Sequence, residues 1–90
     1  MADIEFQYMC RKFKEIRLRK KLKQVDVAVG ADINPNYYGQ IERGLTKNMH
    51  LSTFYGIRQA LNAKWKEILH PNNYGMILLL PSDDETNDKT

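Results

Sequence analysis

The stretch QVDVAVGADINPNYYGQIERG, residues 24–44, decides how this chain is read. Its second half carries both ends of a helix. Asn34 is an N-cap residue and Pro35 suits the first helical position, where no amide hydrogen is needed, while Arg43 precedes Gly44, a usual C-terminal stop. A helix from about residue 35 to 43 is therefore predicted. The first half is ambiguous. Val25, Val27 and Val29 alternate as in a strand, whereas Val27, Ala28 and Ala31 fit a helical stripe, and Gly30 weakens a helix by about 1 kcal/mol relative to Ala. Local pattern leaves this segment open between the two.

Upstream, Ile4, Tyr8 or Met9, Phe13 and Ile16 recur at helical spacing with Arg and Lys between them, so an amphipathic helix is expected to end near Lys21. Downstream, Leu51, Phe54, Ile57 and Leu61 share one face of a fourth helix that starts near Ser52. A short fifth helix presents Trp65, Ile68 and Leu69 inward and stops at His70-Pro71. These elements define a small all-α, five-helix domain over residues 4–70. Residues 71–81 form an apolar arm, in which Tyr74 to Leu80 reads as a short strand or extended segment, and 82–90 an acidic, disordered tail. The arm is too apolar to stay in water. It is expected either to mediate dimerisation or to pack back over Trp65 and Phe54.

A chain of 90 residues has room for one core. The net charge of +3 divides into −3 for residues 82–90 and +6 for the rest, and eight basic groups crowd between Arg11 and Lys23 against Glu15 alone. Such a block suits phosphate contacts, although a solvated helix face has the same composition. The longest aliphatic run, MILLL from Met76, is far too short to span a membrane, and the acidic N-terminus makes no secretory signal, so a cytoplasmic protein is expected. Cys10 stands alone, and His50 and His70 lack zinc spacing; neither metal, cofactor nor catalytic residue is expected.

In residues 24–44 the chain resembles the Cro and phage-repressor (XRE) helix-turn-helix family. The resemblance rests on Gln24 opening one helix, Ala28 at its fifth position, a turn at 32–34, and the closing Ile41-Glu42-Arg43-Gly44; it extends through Ile16, Arg17 and Leu22 upstream and through 51–69 downstream. It implies a compact lambda-repressor-like fold. The family's glycine in the turn is Asp32 here, its buried Ile is Tyr38, and Arg58 stands where Ala is usual.

An α-helix fits the major groove, with its first turns directed at base edges. Asn36 and Gln40 lie four apart on one helical face, and amides can pair with adenine through N6 and N7, so these two are the expected base readers, joined by Tyr37. The resemblance casts Gln24 as a clamp on a backbone phosphate, with Lys23, Arg43 and Lys47 adding phosphate contacts. It also pairs Arg17 with Glu42 as a structural ion pair. The function so implied is a transcriptional regulator, most simply a repressor, that reads double-stranded DNA as a homodimer. The other reading is an antitoxin or similar component, bound to a regulatory protein partner, with the helices as scaffold.

Overall fold

The computed structural model describes residues 4–46 and 49–81. Five α-helices follow one another: α1 (Ile4–Arg19), α2 (Gln24–Ala31), α3 (Pro35–Glu42), α4 (Leu51–Leu61) and α5 (Trp65–Ile68). A 3-10 helix, Pro71–Leu79, completes the described chain. The expected all-α architecture is the observed one. Among the described residues none belongs to a strand, and no helix is long and apolar enough to cross a membrane.

One core joins all five helices. Cys10, Phe13 and Ile16 of α1 meet Val27 and Ala28 of α2, Tyr38 and Ile41 of α3, Phe54, Ile57 and Leu61 of α4, and Trp65 and Ile68 of α5. The ambiguous α2 is settled by this packing. As a helix it buries Val27 and Ala28 and leaves Val25 and Val29 in solvent, so tertiary burial overrides the local β pattern. Gly30 is the contact point with α4: a Cβ there would stand 2.9 Å from the Ala60 Cβ. The residue that weakens the isolated helix is what lets the helices approach.

Helices α1 to α4 all end in one way. The residues Lys21, Asp32, Gly44 and Asn62 take left-handed dihedrals, with φ of 61°, 60°, 72° and 52°. In each case the next residue's amide reaches back to a carbonyl in the last turn, as in Leu45 N to Gln40 O at 3.0 Å and Ile33 N to Ala28 O at 2.9 Å. Asp32 thus adopts the conformation that glycine would take. Lys20 reinforces the end of α4, donating from Nζ to the carbonyls of Leu61 at 2.6 Å and Asn62 at 2.8 Å.

One expectation for a buried position is corrected. Leu51 is largely exposed; it is the first residue of α4 and sits at the margin of the core. Arg58 is buried at an apolar position because its guanidinium lies 4.3 Å from the centre of the Trp65 ring and its Nη1 donates to the Ala63 carbonyl at 3.1 Å.

The arm is neither strand nor extended. Pro71 opens the 3-10 helix and the His70 Nδ1 accepts the Asn72 amide at 3.1 Å. An isolated strand would leave its amides and carbonyls without partners, whereas a tight helical coil satisfies them within the segment. The arm has two faces. Ile77 and Leu80 pack on the core and the Pro81 carbonyl accepts the Trp65 indole N–H at 2.7 Å, while Leu78 and Leu79 are 91% and 86% exposed. An apolar groove of about 360 Å3 lies between α1, the start of α4 and the arm, lined by Phe6, Met9, Met49, Phe54 and Met76. The acidic tail, 82–90, lies outside the described residues.

Candidate nucleic-acid interface

The local sequence sets the attitude of α3. Asn34, extended at the N-cap, accepts the Asn36 amide on Oδ1 at 2.7 Å, and Pro35 follows. At the other end Gln7 of α1 donates to the Gly44 carbonyl at 3.2 Å. Tyr38, Gly39, Ile41 and Glu42 are buried, so the opposite face carries Asn36 and Gln40 into solvent. Tyr37 stands between the faces, half-buried against the core. The two amides predicted from spacing do share one exposed surface.

Beneath that surface lies a polar cluster. Arg17 donates from Nε to Glu42 Oε2 at 2.7 Å and from Nη2 to Oε1 at 3.1 Å, and its Nη1 donates to the Leu22 carbonyl at 3.0 Å. Both charged residues are buried, at 8% and 4% exposure, so the ion pair lies inside the domain. Burial alone would raise the Glu42 carboxyl. The hydrogen bonds from Arg17 and Gln24, the neighbouring Tyr38 hydroxyl and the Arg17 charge together outweigh it and hold the carboxyl below its ordinary value. The hydrogen bond to Glu42 chiefly raises Arg17 in turn, against the effect of burial. Tyr38 is buried beside them, where desolvation first and then Glu42 push its phenol well above the usual range.

Gln24, exposed at the first position of α2, joins this cluster: its Nε2 donates to Glu42 Oε1 at 3.0 Å. Its Oε1 faces α3, 3.4 Å from where a Cβ on Gly39 would be. The sequence reading missed this link, and the 18-residue separation offers no local signal for it. Lys23 is exposed just before α2, where its amide donates to Asp26 Oδ2 at 2.8 Å. Arg43 is exposed at the C-cap of α3. Lys47 lies outside the described residues.

The basic block is partly committed elsewhere. Arg17 is in the ion pair, Lys20 is tied to α4, and Lys12 meets Glu15 at 3.0 Å; Arg11, Lys14, Arg19, Lys21 and Lys23 remain as exposed cations. Burial pushes the Cys10 thiol up to about 11, which removes its thiolate at neutral pH. Among the described residues no group of three His, Cys, Asp or Glu side chains is placed to hold a metal ion.

Two helices joined by a tight turn, the second docked by its apolar side and offering polar side chains outward, define a helix-turn-helix module. The helix-turn-helix family HTH_3 matches residues 13–68, and the chain belongs to this family of DNA-binding transcriptional regulators. Among solved structures, the fold is similar to that of the restriction-modification controller protein C.AhdI from Aeromonas hydrophila, at 24% identity and a TM-score of 0.67, covering 74% of this chain and 100% of that one. It is also similar to the wild-type controller protein C.Esp1396I, at 25% identity and a TM-score of 0.65, covering 77% and 97%. A tyrosine-to-phenylalanine mutant of C.Esp1396I aligns at 23% identity and a TM-score of 0.67, covering 73% and 82%. No curated protein matches the chain.

Proposed function

We propose that this regulator binds its DNA sequence-specifically as a homodimer in the cytoplasm and represses transcription by occupying a promoter. The observation that carries the reading is the exposed pair Asn36 and Gln40 on a helix whose other side is locked into the core. Each amide can donate to N7 and accept from N6 of adenine, so adenine-bearing half-sites are the expected targets, and Tyr37 at their edge is placed for a thymine methyl or a phosphate. Gln24, Lys23, Arg43 and Lys47 serve the phosphate backbone, which sets register without reading sequence. The solved neighbours named above are controllers of restriction-modification systems, one setting in which such a regulator would act.

One recognition helix covers too few base pairs to select a site in a genome, and two copies reading two half-sites supply the missing contacts. The second copy docks through the arm, residues 71–81, beyond the helical domain of 4–70. Leu78 and Leu79 lie outward, and among the described residues that line the groove beside the arm only Glu5 and His70 are titratable, so two basic domains can approach there with little repulsion. Selection of bound sites from random duplexes, with light scattering on the free chain, tests the reading. The expected outcome is a two-fold symmetric, adenine-containing site bound by a dimer that dissociates on Leu78→Asp. No enriched site, together with a stable heterocomplex formed through the arm, would favour the antitoxin-like reading instead.

A further inference from the structure

The hydrogen bond between Gln24 and Glu42 gives a buried residue a role at the DNA surface. A glutamine amide presents two unlike edges of nearly one shape, a carbonyl oxygen and an NH2 group, and on an exposed side chain rotation interchanges them. Only the NH2 edge can approach a carboxylate. Here the Glu42 carboxylate, fixed by two bonds from Arg17, takes one N–H of Gln24 at 3.0 Å, and the carbonyl edge is thereby turned toward Gly39. Gln24 is exposed at the N-terminus of α2, so the second N–H of the same group can serve a phosphate. A phosphate oxygen accepts hydrogen bonds and repels a carbonyl, so this orientation is the one a phosphate requires.

We propose that Glu42 is a positioning residue for phosphate binding: through Arg17 and Gln24 it fixes a hydrogen-bond donor on the backbone-facing side of the motif. The inference rests on the reading of Gln24 as a phosphate contact. It adds that the clamp is set by the interior. Gly39 packs against the Gln24 amide, and a Cβ there would stand in ordinary contact with Oε1 at 3.4 Å.

The test uses a random-sequence DNA duplex, titrated at several salt concentrations with chains shown to be folded by circular dichroism. Gln24→Ala is expected to weaken binding several-fold with an unchanged salt slope, because an amide neutralises no phosphate, whereas Lys23→Ala lowers the slope by about 1. Glu42→Gln is expected to weaken binding when residue 24 is Gln and to have no further effect once it is Ala. Removing an anionic charge near DNA without a positioning role would instead tighten binding, so the sign for Glu42→Gln is diagnostic. Losses that persist in the Gln24→Ala background would overturn the proposal while leaving Gln24 a phosphate contact. No loss in Gln24→Ala itself would overturn both.

Should Glu42→Gln fail to fold, the unaltered chain decides by nuclear magnetic resonance of side-chain amides. An ordered Gln24 NH2 group, of which one proton responds to the duplex, is the expected signature. A Gln24 amide as rotationally averaged as that of exposed Gln59 would refute the positioning role.

Discussion

The recognition end of the molecule and the arm end are built from opposite materials. At the recognition end Arg17, Glu42 and Gln24 tie α1, α2 and α3 through bonds of 2.7 to 3.1 Å with defined directions. At the arm end the fastening is an aromatic and aliphatic contact surface around Trp65, Phe54, Ile77 and Leu80, closed by the Trp65 to Pro81 hydrogen bond. Apolar packing is nearly indifferent to small rotations of a helix about its axis, and hydrogen-bonded charges are not. A helix that, on the proposed reading, presents two particular amides to base edges gains from the second kind of fastening. An arm that has only to cover core on one side and offer leucines on the other does not need it.

This contrast can be broken most strongly at Glu42. Glu42→Ala leaves the Arg17 guanidinium buried without its carboxylate and is expected to destabilise the chain by about 3 to 5 kcal/mol, enough to unfold many small domains. A thermal melt equal to the parent's would show that the pair contributes nothing. The same pair sets an acid limit. The Glu42 carboxyl is held below its ordinary value in the folded chain, so its stabilisation is complete above the unfolded value of about 4.3 and is lost as pH falls through the lower folded value. Melts from pH 6 down to pH 2 should decline in that window, and Glu42→Gln should lack that part of the decline.

At the arm end the expected loss is smaller. Truncation after Pro71 removes Ile77 and Leu80 from the core and exposes part of Trp65, worth about 2 to 3 kcal/mol by area, and leaves a folded helical domain that no longer self-associates. Loss of all helical content would mean that the arm is integral to the fold, and an unchanged melt would mean that it only hangs from it. Smaller again is the cap of α3: Asn34→Ala gives up the bond to the Asn36 amide and is expected to cost about 1 kcal/mol, read as a lowered melting temperature with DNA affinity falling in parallel.

The same contrast governs what could be read in advance. Helix α3 was legible because Asn34, Pro35 and Gly44 are local signals for its two ends, and the exposed amides followed from helical spacing. Helix α2 was open because Val25, Val27 and Val29 satisfy a strand pattern as well, and the contact that decides it, Gly30 on Ala60, joins residues 30 positions apart. The arm was misjudged for a similar reason: a short apolar run has no period long enough to separate strand from helix, and the choice falls to where its backbone groups find partners. Lys20 and Gln24 show a further limit, since composition marks both as surface polar residues while their hydrogen-bond partners lie 41 and 18 residues away.

The central claim is that α3 reads bases through Asn36 and Gln40, and competition between a selected site and random duplex tests it most directly. Asn36→Ala and Gln40→Ala should each cost about 1 to 3 kcal/mol on the selected site and little on random DNA, so that specificity falls while backbone affinity remains. Equal losses on both kinds of DNA would contradict the claim and leave the two amides as contacts without a reading role.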